Sequence, residues 1–339
     1  MLRIFFFVRC LFLLLLFSAC GREERKVQRS FYYWKTVFQL SPAETQTLQR
    51  LSVQNLYTKF FDVVWDEATA SAKPVAKSIF KEAVPANIVI TPVVFVTQEP
   101  LQRLDENGLD SLANNIACLL SSMTSANKLS LSNEVQIDCD WTSNTKEAYF
   151  YLLQQLKMRP FFQAKSISAT VRLHQLKFIS QAGVPAVDKG LLMCYNMGNL
   201  RYPQTINSII DESELKKYIN NLKNYPLPLD VALPVFDWYV LFEGTKYKGL
   251  LRDFTLPEAE ARMRRTDFKA DTVINGQSFK GGQWLRHEMG DAETVKRCAE
   301  LISQKLKAKE LSVILYRLDE EALTKYSLHE LESFYNALR

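Results

Sequence analysis

Strand-like and helix-like segments alternate eight times along this chain, and that alternation constrains its fold more than any other feature. Apolar, aromatic or β-branched runs stand at 31–38, 55–64, 87–96, 134–141, 166–173, 190–195, 229–236 and 311–316. Between and after them come helical patterns, beginning at Ser41 and continuing at 73–83, 109–123, 145–157, 176–181, 212–222, 292–306 and 328–338. Ser41-Pro42-Ala43-Glu44 carries a full start signal: a hydroxyl to cap, Pro in the first turn and a Glu to close the capping box. Strands alternating with helices specify a parallel sheet. Eight such units over roughly 310 residues fit a closed (β/α)8 TIM barrel of the α/β class. The competing open, doubly wound sheet would place a Gly-rich turn after its first strand. The turn here is Gln39-Leu40-Ser41-Pro42, and all 339 residues contain only 11 Gly.

One segment breaks the alternation. Between 238 and 290 lie short strand-like runs, among them 239–242, 247–250 and 268–274, and Asn275-Gly276 is a hairpin signal. This reads as a β-rich insertion after strand seven, on a loop at the catalytic face of a barrel.

The first residues belong to targeting. Arg3 and Arg9, the apolar run 11–17 and then Ser18-Ala19-Cys20-Gly21 form a secretory signal over 1–19. Small residues before a cysteine resemble a bacterial lipobox, with Phe17 where Leu is usual, and imply lipidation of Cys20. A plain signal peptide and a membrane anchor are the alternatives; the apolar stretch is broken by Arg9 and shorter than the ~20 residues of a spanning helix. Residues 20–30 then read as a lipidated tether and 31–339 as the barrel. Glu23–Glu24 resembles the surface-export signal of Bacteroidetes lipoproteins, which implies an outer-membrane protein, lipid-anchored, periplasmic or surface-exposed.

Composition excludes several classes. The 42 Lys plus Arg against 37 Asp plus Glu give +5. Loss of Arg3 and Arg9 with the signal leaves 40 against 37, or +3, too little to argue for nucleic acid. Three His and four widely spaced cysteines after Cys20 (Cys118, Cys139, Cys194, Cys298) suggest no metal site and no cofactor, and the cysteines read as buried thiols or one disulfide.

Polar residues gather at the ends of the strands. Asp138, Asp140 and Thr142 fall on one side of strand four, where two close carboxylates raise one pKa and so poise an acid or a base. Trp34, Trp65, Trp141 and Trp238 stand near strand ends one, two, four and seven, where flat aromatic faces suit sugar rings. Arg172 and His174 end strand five, and Arg172 is placed to pair with Asp138 or Asp140. Asp62 and Asp66 end strand two, Glu99 follows strand three and Asp237 follows strand seven.

Gln136-Ile137-Asp138-Cys139-Asp140-Trp141-Thr142 resembles the fourth-strand motif of family 18 glycoside hydrolases, the chitinases and endo-β-N-acetylglucosaminidases. Met193-Cys194-Tyr195-Asn196 resembles their sixth-strand motif. The resemblance implies a glycan ligand, with Asp138, Asp140 and Tyr195 catalytic and Tyr195 supporting an N-acetyl group. Two departures bear on activity. The acid Glu that ends the motif is Thr142 here, and the usual Asp of the sixth strand is Asn196. An acid would have to come from Asp140, Glu99 or Asp237. The open readings are a glycan-cleaving barrel, a glycan-binding barrel without turnover, and a lipoprotein whose barrel serves protein assembly.

Overall fold

The computed structural model describes residues 24–257, 260 and 263–339; residues 1–19 and Cys20 lie outside them. Eight parallel strands form the centre: β1 Lys26–Tyr33, β2 Asn55–Asp66, β3 Val89–Val96, β4 Glu134–Asp138, β5 Ser166–Arg172, β6 Lys189–Met193, β7 Leu229–Pro234 and β8 Glu310–Tyr316. Each pairs with the next, and β8 pairs with β1 through Lys26↔Glu310 to Phe31↔Leu315. β1 also pairs with β2 from Ser30↔Asn55, so the sheet closes into the (β/α)8 barrel.

Closure buries both strand faces, and this is why the strands read as continuous apolar runs. The interior is not all apolar. Near the strand starts, Lys189 lies 2.7 Å from Glu134 and 2.5 Å from Asp230, and Ser168 Oγ donates to Glu134 at 2.6 Å. Every charge in this buried group has an opposite partner, the condition under which such a layer is tolerated.

Four boundaries differ from the sequence reading. Residues 26–30, assigned there to the tether, are barrel strand. Their backbone pairs with β8; Arg29 faces the helical shell and donates to the Leu51 carbonyl at 3.0 Å, while on the other face Gln28 accepts from Ser312 Oγ at 3.1 Å and Ser30 is buried. The first strand stops at Tyr33, and Val37–Phe38 is a separate short strand beside Ile79–Phe80. No helix forms at 73–83: Ser71–Val75 pairs antiparallel with the end of β2. β4 ends at Asp138, so Cys139, Asp140 and Trp141 are no longer strand. The four described cysteines are free thiols, and Cys118 is exposed rather than buried.

The insertion after β7 is a four-stranded antiparallel sheet of Asp237–Glu243, Lys246–Leu251, Arg265–Asp267 and Gln283–Met289. It carries a hairpin, Thr272–Ile274 with Gln277–Phe279, turned at Asn275 (φ 47°) and Gly276 (φ 79°). Tyr239, Leu241, Leu256, Phe268, Phe279 and Leu285 give the insertion its own small core.

Candidate functional site

A cavity of about 440 Å³ opens where the strands end. Its floor is the inside of the barrel. Its wall is aromatic: Tyr32, Trp34, Phe95, Tyr195, Phe236, Trp238 and Tyr316. These rings brace one another. Tyr195 stacks on Tyr316 at 5.3 Å, Trp34 meets Tyr32 edge-on at 5.4 Å, and Phe236 tilts against Trp238 at 5.3 Å. Rings locked this way present fixed apolar faces without losing further side-chain entropy on binding.

Asp138 is the last residue of β4 and is 5% exposed. It accepts a hydrogen bond of 2.7 Å from Thr170 Oγ1 on β5. Burial pushes its carboxyl up, the Asp140 charge adds to this, and Thr170 and Arg172 oppose it; the result is a pKa of about 6. Asp140, two residues on, is gripped by Arg172, whose Nε and Nη2 donate at 2.5 and 2.6 Å. Burial works against the Arg172 charge, but the Asp140 carboxylate outweighs it and raises the guanidinium pKa.

Two buried oxygens in the cavity wall, the Tyr195 hydroxyl and Asp62 Oδ1, have no hydrogen-bond partner among the described residues. Burial raises the Tyr195 hydroxyl far above its ordinary range, so it is a neutral donor. Asn196 sits at φ 55°, a left-handed conformation that Asn adopts more readily than most residues.

The remaining carboxylates are engaged. Asp62 lies 3.1 Å from Lys59 Nζ, and Asp253 pairs with Arg317. Asp237 sits between Lys325 and His287, whose Nε2 is 2.8 Å away. Burial would raise Asp237, but hydrogen bonds to His287 and Lys325 overcome it and hold its carboxyl below the usual range. Arg252 has no carboxylate partner among the described residues and lies 5.8 Å over the Trp238 ring.

The structure thus brings together Asp138, Asp140, Arg172, Tyr195, Asn196, Trp34, Asp237 and Trp238 from the sequence reading. It does not bring Trp65, Glu99, Trp141 or His174 to the cavity. Trp141 is fully buried; it stacks on Tyr149 at 5.2 Å and donates to the Ala182 carbonyl, because the chain has left the strand and turned it into the helical shell. Trp65 lies near the end of β2, 5.5 Å from the Arg103 guanidinium, and Glu99 pairs with Arg103 at 3.1 Å on the helix Gln98–Arg103. His174 lies on the short helix Leu173–Lys177, its residue surface open to solvent but its imidazole partly desolvated by its neighbours, which together with the Arg172 charge lowers its pKa. Thr142 lies outside the lining as well, its hydroxyl 3.4 Å from Gln98 Oε1 and from Thr145 Oγ1.

Sequence reasoning missed Tyr32, Phe236, Tyr316, Arg252, Asp253 and Arg317. Tyr316 ends β8, as Arg172 ends β5, and Arg317 follows it, so the strand-end rule reaches both. Arg252 and Asp253 come from the insertion, and only the fold carries them to the mouth.

No family model matches the chain, and no curated protein sequence matches it. Solved structures do match its fold. A chitinase from Chromobacterium violaceum superposes with a TM-score of 0.52 at 11% identity, covering 93% of this chain and 98% of that one. The spore cortex-lytic enzyme SleL of Bacillus megaterium gives 0.55 at 14% identity, over 94% and 75%. The GH18 chitinase ChiB of Flavobacterium johnsoniae gives 0.52 at 15% identity, over 93% and 94%. At these identities the shared property is the barrel fold.

Proposed function

We propose that this chain is a lipid-anchored barrel of the cell envelope that binds a glycan at the mouth of the barrel and does not cleave it by the usual acid-assisted route. Aromatic faces set beside unsatisfied buried oxygens suit a sugar, which offers apolar C–H faces and hydroxyls together. Two of the structural neighbours are named as chitinases, which favours a glycan over other ligands of similar size.

The state of the carboxyls carries the second half of the reading. Protonating a leaving glycosidic oxygen takes a carboxylic acid within hydrogen-bond reach of it. Thr142 replaces the expected Glu, while Asp62, Asp140, Asp237 and Asp253 are each ion-paired. Asp138 has a raised pKa and forms no ion pair among the described residues, and it lies on the buried floor. That raised pKa also favours a second reading, slow hydrolysis with Asp138 as the proton source.

Titration calorimetry with N-acetylglucosamine and glucose oligosaccharides, run beside a reducing-end assay, separates the readings. The expected result is binding without release of new ends, weakened about tenfold by Trp34→Ala, in line with roughly 1–1.5 kcal/mol for an aromatic contact. Turnover that disappears in Asp138→Asn supports slow hydrolysis instead. No binding to any member of a broad glycan array overturns both.

A further inference from the structure

The end of the barrel opposite the mouth has a charge pattern that glycan binding does not use. Arg50, Lys128, Lys223, Lys305 and Lys307 all stand where a helix or loop leads into a barrel strand. In a closed parallel barrel those positions share one end. Four of the five are exposed and Lys305 is half-buried. None has a carboxylate partner among the described residues. The exposed acids that immediately precede or open a strand are already neutralised: Glu24 by Arg339 at 3.2 Å, Asp188 by Lys157 at 3.2 Å and Glu310 by Lys26 at 3.3 Å. A surplus of cations therefore remains at this end of a nearly neutral protein.

The chain also enters the barrel here. β1 starts at Lys26, six residues after Cys20. Six extended residues span at most ~20 Å. A lipid on Cys20 would hold the start of β1 within that distance of the bilayer. The eight residues of β1 then run toward the mouth, rising along the tilted barrel strand by ~20 Å. Arg25 fastens the entry point: its guanidinium donates to the carbonyls of Ala308 at 2.7 Å and Leu338 at 2.8 Å.

We infer that the strand-start end of the barrel is a membrane-apposed surface that binds anionic phospholipid headgroups and holds the mouth away from the bilayer. This rests on lipidation at Cys20 for proximity and on the unpaired cations for the contact. Lysines near an anionic bilayer gain electrostatic attraction that salt screens within about 10 Å.

The test is lysine acetylation footprinting of the full mature chain on vesicles of phosphatidylcholine, with and without 30% phosphatidylglycerol (~30% anionic lipid, a strongly charged bilayer). Phosphatidylglycerol is expected to reduce labelling of Lys128, Lys223, Lys305 and Lys307 about threefold or more. Lys248 and Lys269 on the insertion should label equally on both vesicles. The contrast should vanish in high salt, and in K128E/K305E/K307E it should vanish at Lys223, the strand-start lysine that variant keeps. Equal labelling of the strand-start lysines on both vesicles overturns the inference, as does protection of Lys248 and Lys269 instead. Glycan binding in solution is a separate measurement, so failure of one reading is distinguishable from failure of the other.

Discussion

Asp138 concentrates the electrostatics of the mouth in one side chain. Its pKa of about 6 lies above the ordinary 3.8, so between those values the folded chain holds a proton that the unfolded chain has released. Stability contributed by that proton is present at low pH and is lost as pH rises through about 6. A shift of this size corresponds to about 3 kcal/mol at most, since each unit is worth ~1.4 kcal/mol. Asp138→Asn keeps the shape and removes the buried charge. The variant should exceed the parent in stability by about 1–3 kcal/mol at pH 8 and match it near pH 4. Urea unfolding at the two pH values measures this. A parent that gains stability over the variant from pH 4 to 8 would show that Asp138 is ionised and well solvated. The sequence made Asp138 and Asp140 visible as a close pair on a strand end. It did not reveal that Arg172 would take up Asp140 and leave Asp138 to carry the shift, because the choice depends on which carboxyl the barrel buries.

At the scale of elements, legibility followed the environment of each segment. Strands buried on both faces, such as β3 and β7, stand out because nearly every position is apolar or small, Asp230 of β7 being the charged exception. The start of β1 did not, because Lys26 and Gln28 are exposed polar residues at the rim where the strands begin, paired there with Glu310 and Ser312 of β8. Residues 73–83 read as helix from an Ala- and Lys-rich composition, yet tertiary pairing with the end of β2 made 71–75 a strand. Trp141 was mislaid by one geometric assumption, that β4 continues to 141. The insertion was legible from Asn275-Gly276, but its contribution of Arg252 to the mouth was not. Its return to the barrel passes through Gly290, whose N–H donates to the Phe236 carbonyl at 3.1 Å and whose carbonyl accepts from Tyr326 at 2.6 Å. A Cβ there would stand 2.8 Å from the Pro234 carbonyl oxygen, a backbone atom with little room to yield. Gly290→Ala should destabilise by about 1–3 kcal/mol, as overpacking does. It should also weaken glycan binding, because Phe236 and Trp238 sit at the displaced junction. Urea unfolding and calorimetry together check this; a shift in neither would mean that the junction relaxes freely.

For the molecule as a whole, the proposed reading places two tasks at opposite ends of the closed barrel. The aromatic cavity lies where the strands end, and the chain enters where they begin. Between them, near the strand starts, lies the Lys189–Glu134–Asp230 group, in which one ammonium bridges two carboxylates. Such a division predicts that anchoring and recognition are independent. Cys20→Ala removes the lipidation site without touching a described residue. The variant should lose salt-resistant membrane association on cell fractionation, and its mass should lack an acyl modification that the parent carries. Its glycan affinity should stay within about twofold of the parent's, because independent sites far apart behave additively. A tenfold change in affinity would mean that the anchor end and the mouth are coupled through the barrel. An unmodified Cys20 in the parent would leave the basic end as a peripheral surface, holding the protein to lipid by charge alone and releasing it in high salt.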